Sequence, residues 1–190
     1  MKNKFLLLII TALFSGCECN EVDYSLKPGN GVSDIDGNEY ETIIIGEQEW
    51  MIEDLKVNHY NDSTHIQTYQ EDYEIGYSKK YNYNTIHKDN FAPEGWHVAT
   101  RDDIIELDNF LKQNNIISKE KAKRYIYIIF LNDLNDNKSW ITGAWWVDGS
   151  KGYDENKMGY MCINKSNNRP LIKQIDINTY LPVRCIKNKE

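Results

Sequence analysis

Positive charge, long apolar runs, cysteine and phenylalanine are all scarce in this 190-residue chain, and each scarcity narrows what it can be. Lys and Arg total 22 against 29 Asp and Glu, a formal charge of −7. Phosphate binding needs a cationic patch, so no nucleic-acid partner is expected. The longest apolar run, Phe5 to Leu13, falls short of the about 20 residues that cross a hydrocarbon core. No Gly-rich phosphate loop or nucleophile elbow occurs, and the four histidines, His59, His65, His87 and His97, lie in unrelated contexts without zinc spacing. The expectation is therefore no enzyme, no cofactor and no metal centre. Phe numbers 5 against 13 Tyr and 5 Trp, so the aromatics carry polar tips suited to half-exposed sheet faces and binding surfaces. The length fits one domain with its own core.

What is present starts at the N-terminus. Lys2 and Lys4 precede the apolar run, and Leu13-Phe14-Ser15-Gly16-Cys17 closes it with small residues before a cysteine. This resembles the lipobox of bacterial lipoproteins. The resemblance implies residues 1–16 as a signal peptide, cleavage before Cys17, a diacylglycerol thioether on its sulfur and an acylated amine, with the lipid bilayer as partner. An ordinary secretory leader with a coincidental cysteine is the alternative. Loss of Lys2 and Lys4 takes the charge to about −9. Residues 17–31 are acidic, polar and Gly/Pro-punctuated, and read as a flexible tether. Glu18 and Glu21 resemble the surface-export signals of Bacteroidetes-type lipoproteins. The expected location is the outer membrane of the cell envelope, with surface exposure one of the two faces left open. In that oxidising setting Cys162 and Cys185, in separate expected strands, are expected to form a disulfide; two buried thiols are the alternative.

Residues 32–190 read as one domain. Asp36-Gly37 between β-prone runs marks a hairpin with a type I′ turn. Asp34, Asp36 and Asn38 also have the oxygen spacing of a calcium loop, but Ile45 stands where a bidentate Glu is needed, so turn chemistry is preferred. Trp50 and Met51 are placed in the core, and His59 and His65 in a solvated loop. Tyr77, Tyr81 and Tyr83 have strand-like spacing. In Ala92 to Leu111, APEGWHVATRDDIIELDNFL, Pro93 and Gly95 set a turn, Trp96 anchors, and Thr100 with Asp103 forms a capping box. Ile104, Leu107, Phe110 and Leu111 make the apolar stripe of the helix that follows, and Asn114-Asn115 suits its end. Ser118 to Leu131 reads as a second helix, with a strand the alternative for residues 125–131, which are rich in β-branched and aromatic side chains. Tyr160 to Ile163 and Tyr180 to Ile186 read as closing strands.

Four blocks, Asp34 to Lys56, KKYNYNTI (Lys79 to Ile86), APEGWHVATRDDIIEL (Ala92 to Leu107) and PVRCIKN (Pro182 to Asn188), resemble the Fibrobacter succinogenes major paralogous domain. The resemblance implies an exported, lipid-anchored protein of no defined activity with an α+β, C-type-lectin-like fold: antiparallel hairpins and short sheets with one or two helices. Ala92 replaces a cysteine often seen there, and the Gly/Pro-rich middle section is shortened. In those members of such a fold that bind calcium or sugar, the long loops here between Asn132 and Tyr153 are where they bind. Asp133 and Asn135 offer hard oxygens there, and Trp146 and Tyr153 the exposed aromatic platforms, with Trp140 and Trp145 assigned to the core. The Glu-Pro-Asn, Gln-Pro-Asp and Trp-Asn-Asp triplets of calcium-dependent lectins are absent. The expected function is a surface binding or adhesion module for glycan or protein, set against a structural envelope component and an enzyme.

Overall fold

The computed structural model describes residues 27–68, 79–114, 141–151, 156–164, 166–167 and 169–189. Among these, antiparallel strands dominate and two helices flank them, an α+β arrangement. A five-stranded sheet runs in the order β1 (Lys27–Pro28), β4 (Thr42–Ile45), β5 (Gln48–Met51), β10 (Cys185–Lys187), β6 (Trp96–Val98). A two-stranded hairpin joins β2 (Val32–Ser33) to β3 (Glu39–Tyr40), and a three-stranded sheet orders β7 (Ile141–Lys151), β8 (Lys157–Asn164) and β9 (Arg169–Asp176). The helices are α1 (Tyr83–Ile86) and α2 (Arg101–Gln113). No helix among the described residues is long and apolar enough to cross a membrane.

The hairpin forms where Asp36-Gly37 marks it, but with a different turn. Gly37 N–H closes a four-residue turn on Asp34 O (3.0 Å), and only Gly37, at φ 79°, takes the left-handed conformation. A type I′ turn would need Asp36 there too. Asp34 supplies what the turn lacks: Oδ1 accepts from the N–H groups of Asp36 and Asn38, both at 3.0 Å, and Oδ2 from the Tyr40 hydroxyl at 2.6 Å.

The α2 start is as the sequence predicts. Thr100 Oγ1 accepts from Asp103 N–H, and the Asp103 carboxylate accepts from Thr100 N–H at 2.8 Å. Asn114 caps the other end, and Ile104, Leu107 and Leu111 are buried. Trp96 N–H closes the Pro93 turn (3.0 Å), and the indole is buried.

One expected boundary moves, and one expected strand face does not form. Residues 27–31 belong to the fold rather than to the tether: β1 pairs with β4, Asn30 N–H donates to Glu49 Oε1 and Gly31 N–H to Thr42 Oγ1, both at 2.9 Å. The backbone passes so close at Gly29 that a Cβ would overlap Thr42 Oγ1 and the Glu49 carboxylate. Those contacts lie 11 to 20 positions away, beyond the reach of a local composition reading. Tyr81 and Tyr83 do not share one strand face either. Tyr81 bridges Leu181, whereas Tyr83 begins α1 because Asn82 Oδ1 caps the Thr85 N–H (2.9 Å). Tyr77 and the segment Ser118 to Leu131 lie outside the described residues.

Successive side chains on a strand point to opposite faces, and here both faces are covered. One core gathers Ile43, Trp50, Leu107, Trp145, Met161 and Ile186; the other gathers Met51, Trp96, Val98, Trp146, Val183 and Cys185. Neighbours Trp50/Met51, Trp145/Trp146 and Cys185/Ile186 thus divide between the two cores. This arrangement corrects the disulfide expectation. Cys162 and Cys185 are free, buried thiols. Cys162 lies in β8, with its thiol on Leu171 O of β9 (3.6 Å), whereas Cys185 lies between β5 and β6 in the other sheet. Burial pushes both thiols up from their ordinary pKa.

One carboxylate ties these layers together. Asp54 Oδ1 accepts from Trp145 Nε1 of β7 and from Arg184 Nε just before β10, both at 2.8 Å. Arg184 is buried at 4% exposure and also donates to Met51 O (3.4 Å). Asp54→Ala strands a buried guanidinium, which is predicted to cost about 3–5 kcal/mol in urea unfolding. Lys112→Ala, which removes an i,i+4 pair with Asp108 on the helix surface, is predicted to cost about 0.5 kcal/mol or less.

Candidate functional site

Among the residues expected to hold a ligand, Trp146 is displaced by the structure. Its indole is 1% exposed, and Nε1 donates to Tyr81 O at 2.6 Å. It is a core residue, because the β7 face on which it lies is covered rather than open. Trp145 is core, as expected, at 5% exposure. Tyr153, Asp133, Asn135, Trp140 and the lipidation residue Cys17 lie outside the described residues.

Trp146 nevertheless leads to a surface feature. The Tyr83 ring packs edge-on against it (centroids 5.6 Å), and the His87 imidazole stacks on Tyr83 at 5.5 Å and 18°. Tyr83 opens α1 and His87 is its C-cap, so the spacing i,i+4 puts both rings on one side. His87 Nδ1 lies 2.7 Å from Asp148 Oδ1, which also accepts from Gly149 N–H (2.8 Å) and from the Tyr83 hydroxyl (3.4 Å). Burial, first, and the Asp148 charge raise the Tyr83 phenol above its ordinary pKa. His87 itself is 62% exposed, a surface ring held on its face and on one nitrogen.

His87 stands on the rim of a cleft of about 490 Å³ between the loop His87 to Asn90 and the turn Tyr60 to Thr64. The walls are joined by Asn61 N–H to Asn90 O (2.9 Å). Ser63, at φ 65°, is the one non-glycine residue among those described in the left-handed region, and its N–H closes on Tyr60 O at 2.8 Å. Asp62 Oδ1 accepts from Thr64 N–H (2.9 Å), and that hydrogen bond holds its carboxyl below the ordinary pKa. Lys88 Nζ sits 4.4 Å above the Tyr60 ring, within the range of a cation–π contact. A larger groove of about 990 Å³ runs between residues 28–33 and 39–42, and a smaller one of about 320 Å³ between α2 and β9.

The other histidines have partners of their own. His59 Nδ1 lies 2.5 Å from Asp36 Oδ1, and its ring meets His65 edge-on at 5.4 Å. No cluster of three His, Cys, Asp or Glu placed to hold a metal occurs among the described residues. His97 joins the helix cap to the C-terminal strand, with Nε2 3.0 Å from Asp103 Oδ2 and Nδ1 2.6 Å from Asn188 Oδ1.

The fold and site define an α+β domain with aromatic rings inside and polar clefts outside. Residues 43–144 match the Fibrobacter succinogenes major domain, more than half of the chain, and the protein belongs to that family. The block Pro182 to Asn188 lies beyond the match, yet it supplies β10, which pairs with β5 and β6 inside the matched region. No curated protein and no solved structure matches the chain.

The His97–Asp103 pair makes a pH prediction. The Asp103 hydrogen bond raises His97 above 6.5, outweighing burial. Its stabilisation is therefore complete below pH 6.5 and lost as pH rises through the raised value. Burial opposes ionisation of Asp103, but the bonds from His97 and Thr100 outweigh it and hold Asp103 below 3.8, so its share is lost as pH falls through that lowered value. Unfolding followed by circular dichroism should show wild type losing stability above pH 6.5, and His97→Gln a flatter profile there.

Proposed function

We propose that this protein is a lipid-anchored binding module of the bacterial cell envelope, held to the outer membrane through acylated Cys17 and displaying its domain for a glycan or protein ligand. The observation that carries the reading is the cleft at His87. It is open and polar, and its rim ring is fixed from below and from the side before any ligand arrives. Pre-positioned side chains lower the entropy cost of binding. The lipobox at Leu13 to Cys17 supports the anchor, and acylation at more than one site gives stable attachment where one chain is marginal. The antiparallel sheets with flanking helices fit a C-type-lectin-like fold; fold alone does not fix function.

The role is read as non-catalytic, with His97 and His59 serving as partners of the aspartates of the cap and hairpin.

Two measurements test the reading together. The mature protein should have a mass starting at a diacylated Cys17, and Cys17→Ser should leave the membrane fraction. Vesicles carrying the lipidated chain should be retained on surfaces coated with polysaccharide or glycoprotein more than empty vesicles are. Retention on none of them would favour a structural envelope component instead.

A further inference from the structure

We propose that the cleft between Tyr60–Thr64 and His87–Asn90 binds a neutral, hydroxyl-rich ligand, a saccharide unit, with the open face of the His87 ring as its stacking surface. The inference deepens the binding-module reading and rests on it.

The ring comes first. Tyr83 covers one face of His87, Asp148 holds Nδ1, and the remainder is exposed. A surface imidazole without such partners would sample several rotamers; this one is restrained before the ligand arrives, which cuts the ordering cost of binding. The restraint continues inward through Tyr83 to Trp146, a buried anchor at the end of the ring column. A planar ring with one free face suits the C–H face of a pyranose. The Nε2 edge is left for a hydroxyl, which can donate or accept to match either tautomer.

Charge narrows the ligand class. Lys88 places one ammonium at the rim, and Asp62 and Asp89 place two carboxylates on the lining. A polyanion would meet those carboxylates and a chain of formal charge −7. The stacking ring and the hydrogen-bonding side chains around it point to a neutral polyol. Its hydroxyls can accept from Lys88 and donate to Asp89, while Asn90, Asp62 and Thr64 are already hydrogen-bonded together and shape the wall. The volume of about 490 Å³ lies within the range of small-ligand pockets and is generous for a single sugar ring. The left-handed Ser63 and the Asp62–Thr64 turn fix the second wall, so both sides of the cleft are held by local hydrogen bonds.

The test uses the lipidated full chain in lipid nanodiscs, which avoids sugar-headed detergents, and a panel of neutral mono- and oligosaccharides ending in glucose, galactose, mannose or N-acetylglucosamine. Saturation-transfer NMR and calorimetry should find binding to at least one of them. His87→Ala should weaken it at least tenfold and Lys88→Ala severalfold, while both variants keep the wild-type melting temperature. A chelator should leave binding unchanged. Asp148→Asn, which keeps the shape but weakens the hold on Nδ1, should fall between wild type and His87→Ala. The proposal is overturned if no neutral saccharide binds, if binding is indifferent to His87→Ala and Lys88→Ala, or if acidic polysaccharides are preferred. Vesicle retention on glycoprotein alongside any of these failures would leave the binding-module reading standing and remove the cleft from it.

Discussion

The Asp54 carboxylate is the buried charge through which the two sheets are joined, beside the backbone bonds from Trp146 N–H to Pro182 O and from Asp148 N–H to Ala99 O. It follows β5 in the five-stranded sheet, takes the indole N–H of Trp145 from the three-stranded sheet, and neutralises the buried Arg184 that leads into β10. A guanidinium at 4% exposure is tolerable only with a partner this close. The backbone bonds of Trp146 and Asp148 set the register at which β7 crosses the rest of the chain. Once β7 is there, Trp145 fills one core and Trp146 the other, since adjacent residues on a strand cannot share a face.

Local signals in the sequence led to correct local structure. The Thr100 to Asp103 capping box, the Pro93 turn and the Trp96 anchor need only neighbours within a few positions, and all three form. The hairpin at Asp36-Gly37 was legible as a hairpin. Its turn type was not, because Asp34 reaches around the loop to serve four donors. Features that depend on distant partners were hidden. Gly29 looks like tether until Glu49 and Thr42 close on it, and Trp146 looks like an exposed platform until the layer over β7 is seen. Cys162 and Cys185 sit in strands, as expected, but in different sheets.

The candidate site shows the same division. The strand-like tyrosine spacing hid the helical turn from Tyr83 to His87 that Asn82 caps, and the partner that fixes the imidazole, Asp148, is 61 positions away. What links them is the ring column from Trp146 through Tyr83 to His87, which carries order from the core to the rim of a polar cleft. Trp146 thus bears on the site from beneath, as a support rather than a contact surface. The acidic balance of the chain and the carboxylates of the lining act together against anionic ligands.

The claim beneath all of this is that Trp145 and Trp146 are interior fasteners, not ligand platforms. Hydrogen exchange of their indole N–H groups, resolved by ¹⁵N NMR on the assigned protein, tests it most directly. Both should exchange far more slowly than a free indole, Trp145 because Asp54 holds it and Trp146 because Tyr81 O holds it. Exchange of either at the rate of a solvent-exposed indole would contradict the joining of the two sheets and the column that supports His87.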